Sequence, residues 1–88
     1  VQGFGGRLFF ADGEKRTPAE YAGIEIQIKD RMIEAVVGKG GEFYLENLPA
    51  GTLPARLFMK DKECRFEINI PEKEGIIVDM GDVACETH

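Results

Sequence analysis

The residues best equipped for chemistry are few. Cys64 and Cys85 are the two thiols, and His88, at the last position, is the one imidazole. A redox or zinc CxxC motif has two residues between its cysteines, and these lie far apart. Two Cys and one His cannot complete a four-ligand structural zinc site without carboxylates. The chain contains no Ser, and no second His to serve as base for a Ser or Cys nucleophile. Gly38-Lys39-Gly40-Gly41 has the composition of a phosphate loop. Such a loop opens a helix and carries a Lys-Ser/Thr pair; this one leads into Glu42-Phe43-Tyr44-Leu45, a strand pattern, and reads as a turn. Asp79, Asp82 and Glu86 lack the alternating oxygen ligands and closing Glu of an EF-hand, so they read as solvated carboxylates. With sixteen acidic residues, carboxylate pairs arise by chance and argue for no acid–base chemistry. The expectation is a non-enzyme with no catalytic residue, no metal and no cofactor.

The elements that position these residues have a period of two. Ile24-Glu25-Ile26-Gln27-Ile28-Lys29 and Cys64-Arg65-Phe66-Glu67-Ile68-Asn69-Ile70 alternate as half-buried strands do. Further strands are expected over 6–10, 32–37, 42–46, 53–60 and 76–80, with a short last one over 82–85. Turn signals separate them: Ala11-Asp12-Gly13, Lys29-Asp30-Arg31, Gly38-Lys39-Gly40-Gly41, Leu48-Pro49-Ala50-Gly51, Lys60-Asp61-Lys62 and Pro71-Glu72-Lys73-Glu74-Gly75. The mixed charge runs Glu14-Lys15-Arg16, Lys60-Asp61-Lys62-Glu63 and Glu72-Lys73-Glu74 read as solvated loop tips. One helical turn is expected over 18–21, capped by Thr17 with Pro18 at its first position. About seven short strands in one 88-residue domain predict a small antiparallel β-sandwich, Greek-key or transthyretin-like.

Charge and hydropathy exclude several roles. Eleven basic residues against sixteen acidic leave a net charge of −5, with no basic stripe for a phosphate backbone, so nucleic acid is not an expected partner. No apolar run nears the ~20 residues of a membrane-spanning helix. The chain starts at Val1 without a secretory leader, and is expected to be a fragment of a larger exported protein. For the cysteines a disulfide is the simplest reading, worth ~3 kcal/mol to a small core and indicating an oxidising compartment. Two buried free thiols are the alternative. Cys64 has the inward parity of Phe66, Ile68 and Ile70, so a bond to Cys85 would fasten the last strand to the core.

What remains is binding through a surface. Phe9 shares its parity with Arg7, Tyr44 with Glu42 and Glu46, and Phe58 with Arg56 and Lys60. Side chains two apart on a strand share a face, so these three rings are expected to point outward. Clustered, they would form an apolar patch of the kind that marks a partner site. Loops covering the rings, or a slipped register, are the alternatives.

Gly6-Arg7-Leu8-Phe9-Phe10-Ala11-Asp12-Gly13 resembles the opening strand and turn of the C-terminal periplasmic domain of outer-membrane ushers of the chaperone–usher pilus (fimbrial) pathway. Val36-Val37-Gly38-Lys39-Gly40-Gly41-Glu42-Phe43-Tyr44-Leu45 resembles that family's Val-Gly-x-Gly-Gly turn and aromatic strand. Leu48-Pro49-Ala50-Gly51, the strand with Cys64-Arg65-Phe66 and a Cys near the end follow in the family's order. The resemblance covers nearly the whole chain. It departs at Thr17-Pro18-Ala19-Glu20-Tyr21-Ala22-Gly23, where ushers often carry a Pro-Phe-Gly-Ala-like stretch.

The resemblance implies a non-catalytic module on the periplasmic side of an outer-membrane protein, receiving chaperone–pilin subunit complexes during pilus assembly and secretion. It implies contacts with the other usher domains (barrel, plug and N-terminal domain), while this domain itself does not span the membrane. The Gly-x-Phe/Tyr-x-Leu and Leu-Pro-x-Gly pieces are shared with transthyretin-like and carboxypeptidase-regulatory-like modules. The alternative is therefore a structural or carbohydrate-facing sandwich of an extracellular protein.

Overall fold

The computed structural model describes residues 2–72 and 75–87. Eight strands run in chain order: β1 (Gly3–Asp12), β2 (Lys15–Pro18), β3 (Gly23–Ile28), β4 (Arg31–Val36), β5 (Glu42–Glu46), β6 (Gly51–Met59), β7 (Lys62–Ile70) and β8 (Ile77–Glu86). They form two four-stranded sheets packed face to face, as the alternating pattern predicts. In the first sheet β1 is central. β8 lines one side of it, while β5 and β2 share the other end to end. The second sheet has the order β4-β3-β6-β7.

Between the sheets lie the inward residues of both, with Phe4, Leu8, Ile24, Ile26, Val37, Leu57, Ile68 and Cys85 sealed from solvent. Among the described residues, no polar or charged side chain is buried. Burying each large aliphatic group contributes ~1.5–3 kcal/mol, so this layer rather than hydrogen bonding fixes the register.

Four expectations are corrected. The helical turn over 18–21 is absent. Lys15–Pro18 instead pairs with β1, where the edge beside Phe9 to Asp12 offers a ladder that an isolated helical turn cannot match. The charge run at Lys15 and Arg16 is accordingly strand, and Pro18 sits at the end of an edge strand, where a missing N–H is tolerated. Second, the two segments expected over 76–80 and 82–85 are one strand, β8. Its register slips between Gly5 and Arg7 of β1, and Gly81 takes the positive φ (68°) that lets a bulge continue the strand. Third, β8 runs parallel to β1, because the chain crosses from the second sheet to the first before it. Fourth, the first strand reaches from Gly3 to Asp12, beyond the 6–10 expected.

The Gly38–Gly41 segment is a turn, containing a single 3-10 turn at Lys39–Gly41 that runs directly into β5. Gly41 is required there. Its φ is +88°, and a Cβ would stand 2.6 Å from the Leu8 carbonyl oxygen. Of the expected turn at 71–75, Lys73 and Glu74 lie outside the described residues, as do Val1 and His88.

Candidate partner-binding surface

Cys64 and Cys85 form a disulfide, with Cα atoms 6.1 Å apart and both side chains buried. β7 is the edge of the second sheet and β8 the edge of the first, so the bond closes one flank of the sandwich. Asp79 Oδ1 accepts a hydrogen bond from the Gly81 backbone N–H (2.9 Å) and so helps shape the bulge. Among the described residues, no three His, Cys, Asp or Glu side chains are grouped so as to hold a metal ion.

The three rings point away from the core, as their parity predicts, but they do not form one patch. Phe9 and Tyr44 lie on the outer face of the first sheet, and Phe58 on that of the second. Phe9 is half-buried. Pro18 and Ala84 are its cross-strand neighbours, and the Arg16 guanidinium stands 5.2 Å from its ring centre. Between it and Tyr44 comes a charged row, Glu42, Arg7 and Asp82, whose Arg7–Glu42 pair is loose at 3.9 Å.

Tyr44 and Phe58 share one device. Each ring lies across a glycine on a neighbouring strand, where any Cβ would collide with it: Gly3 under Tyr44, Gly23 under Phe58. The missing side chain lets the ring settle on the sheet and still offer its other side to solvent. Their rims differ. The Tyr44 hydroxyl donates to Glu46 Oε2 (3.3 Å), and its pKa is raised by burial and then by the Glu46 charge. Tyr44 remains 52% exposed, and Ile77, opposite Gly3 on β8, is 69% exposed. Glu46 and Asp79 flank this patch, giving it an acidic border.

Phe58 is clamped. The Arg56 guanidinium stacks 4.1 Å from its ring centre while Nε donates to Glu25 (2.9 Å) and Nη1 to Glu63 (2.7 Å). The hydrogen bond from Arg56 holds the Glu25 pKa below its ordinary value, and the two carboxylates raise that of Arg56. Val36, opposite Gly23 on β4 and 74% exposed, extends this patch toward the sheet edge. Sequence reasoning missed Val36 and Ile77. Val36 shares the parity of Glu34 and Met32, a signal that was present; Ile76-Ile77 reads as an ordinary apolar run, so nothing marked Ile77 as exposed.

This geometry defines a disulfide-closed, all-β sandwich in which two outward rings, Tyr44 and Phe58, are seated on glycines. No protein-family model and no curated protein matches the sequence. Among solved structures, the chain shares its fold with the C-terminal domain of the Caf1A usher, a domain whose conserved surface hydrophobic clusters are important for F1 antigen assembly. The likeness has a TM-score of 0.67 and 20% identity, and covers 96% of each chain. A 5-hydroxyisourate hydrolase of Klebsiella pneumoniae is also similar, at a TM-score of 0.53 and 14% identity over 96% of this chain and 90% of that one. So is a segment of a 9R-lipoxygenase from Cyanothece PCC8801, at 0.53 and 16% over 94% of this chain, but spanning 16% of the lipoxygenase. At these identities the likeness is one of fold.

Proposed function

We propose that this chain is a C-terminal periplasmic domain of an outer-membrane usher, and that it receives chaperone–subunit complexes during pilus assembly without itself performing chemistry. The observation that carries this reading is the full-length fold match to the Caf1A usher C-terminal domain, in a chain that also bears the ordered Phe-Ala-Asp-Gly, Val-Gly-x-Gly-Gly and paired-Cys signature. This chain also carries apolar groups on its surface, and the Tyr44–Ile77 and Val36–Phe58 patches are the contact sites of this reading.

Exposed apolar groups seated on rigid strands give association energy at little ordering cost, and aromatic residues commonly anchor protein interfaces. The enzyme-like neighbours in fold offer no competing argument, since fold alone does not carry activity. A structural or carbohydrate-facing module of an extracellular protein is the second reading, supported by the same sandwich within a much larger lipoxygenase.

The test is calorimetry or co-elution of the chain with each chaperone–subunit complex encoded beside its gene. Association is expected with a cognate complex, weakened at least about tenfold by the double substitution Tyr44→Ala, Phe58→Ala, in line with the loss of two interface aromatics. Failure to bind any of those complexes defeats the usher reading.

A further inference from the structure

Among the described residues five strands, β2, β4, β5, β7 and β8, lie at sheet edges, and they are not equally guarded. β2 is four residues long, carries Lys15 and Arg16 and ends on Pro18. Along β7 the outward residues are Glu63, Arg65, Glu67 and Asn69, an alternation that discourages pairing with a foreign strand. β8 is interrupted by its bulge and carries Asp79, Asp82 and Glu86. β5 shows Glu42 and Glu46 beside Tyr44. β4 differs: its outer face presents Met32 and Val36, 50% and 74% exposed, around a single charge, Glu34.

The free side of β4 can be worked out from its hairpin. Lys29 and Asp30 form a two-residue connection, with Lys29 at φ 47°, so Ile28 and Arg31 close the ladder as a hydrogen-bonded pair. Bonding to β3 then falls on Arg31, Ile33 and Ala35, and the Val37 N–H continues the series to the Ala22 carbonyl (2.8 Å). The backbone N–H and C=O groups of Met32, Glu34 and Val36 therefore point away from the sheet.

Charge says what fits there. Across the outer face of the second sheet runs one row, Arg65, Arg56, Glu25 and Glu34. Arg56 pairs with Glu25. Glu34 stands directly opposite Glu25, like charge against like, with no basic partner of its own among the described residues. A fifth strand bearing Lys or Arg opposite Glu34 would complete the row. Residues two positions to either side of that base would face Met32 and Val36.

We propose that the β4 edge takes up an extended segment of a partner protein with an apolar–x–basic–x–apolar pattern, added as a fifth strand to the second sheet. A second copy pairing through its own β4 does not fit. The residues of β4 and its ends that share the outer face are Asp30, Met32, Glu34, Val36 and Gly38, so self-pairing in any register that keeps that face outward brings no base to Glu34. The inference needs only this edge and does not depend on the usher reading.

The test titrates the isotope-labelled chain with a synthetic peptide centred on Val-Thr-Lys-Thr-Val and with its Val-Thr-Glu-Thr-Val counterpart. The lysine peptide is expected to shift the amide signals of Met32, Glu34 and Val36, and to bind about fivefold tighter than the glutamate peptide. Glu34→Lys should invert that order, and Glu34→Gln should flatten it. N-methylation of the peptide's backbone amides on the side facing β4 should abolish binding. Equal binding of both peptides, no binding of the lysine peptide, or shifts gathered around Tyr44 or Phe58 instead of β4 would overturn the proposal. Chaperone–subunit binding can fail while this result stands, and the reverse, so the two readings are separable.

Discussion

The two flanks of the sandwich are closed by different means. On one, β7 and β8 are joined covalently through Cys64–Cys85, and the Thr87 N–H reaches the Ala11 carbonyl (2.8 Å) to hold the end of β8 against β1. On the other, the segments entering and leaving the second sheet are tied by hydrogen bonds: Ala19 N–H to Leu8 O (2.8 Å), Val37 N–H to Ala22 O (2.8 Å), and Gly40 N–H to Glu20 Oε2 (2.6 Å). The first flank is locked by a bond that constrains even the unfolded chain. The second depends on backbone geometry that a glycine must supply, and it leaves the β4 edge open. Permanence and availability thus fall on opposite sides of one small fold.

The comparison breaks most sharply at the disulfide. Cys64→Ser should cost about 3 kcal/mol under oxidising conditions, lowering Tm, and have little further effect in reductant. Amide exchange should accelerate in β8 and leave β4 unchanged; equal stability of wild type and variant without reductant would contradict the covalent flank.

Gly41→Ala should cost about 2 kcal/mol, because it forces a Cβ against the Leu8 carbonyl in a left-handed conformation. Its exchange signature should be the mirror image, faster at Val37 and Gly38 and unchanged in β8.

Smaller again is Glu20→Ala, about 1 kcal/mol by chemical denaturation, from loss of a charge-assisted bond to a partly buried N–H.

The subtlest change concerns the clamp on Phe58. Arg56 holds the Glu25 pKa down in the folded state, so the unfolded chain binds more protons at acidic pH. That contribution is complete above the ordinary carboxylate range and vanishes as the pH falls through the lowered folded value. Tm curves of wild type and Arg56→Ala should therefore converge on acidification; a constant gap would mean that Arg56 acts through packing on Phe58 alone.

Much of this was legible in the residues because burial imposes it. Ile24, Ile26 and Ile28 alternate with polar neighbours, and no other element places all three in a core. Cys64 shares the inward parity of Ile68 and Ile70, which is why its bond could be anticipated. The errors fall where tertiary context overrides local preference. Thr17-Pro18-Ala19-Glu20 has the grammar of a helix start, yet the free edge of β1 recruits Thr17 and Pro18 as strand, and the Glu20 carboxylate goes to Gly40 instead of its own turn. The three rings were correctly aimed outward, but parity is a property of one strand. Which sheet a strand joins, and hence that Phe58 faces away from Phe9 and Tyr44, comes from connections that no single segment encodes. The glycine seats at Gly3 and Gly23 were invisible for the same reason.

The most direct measurement is chemical-shift mapping of the labelled chain as a cognate chaperone–subunit complex is added. The predicted result is a footprint over at least one of the two patches, Tyr44 with Ile77 on the first sheet or Val36 with Phe58 on the second, with signals of β7 and β8 around Cys64 and Cys85 unmoved. A footprint centred on the disulfide flank, with those four residues silent, would contradict the account.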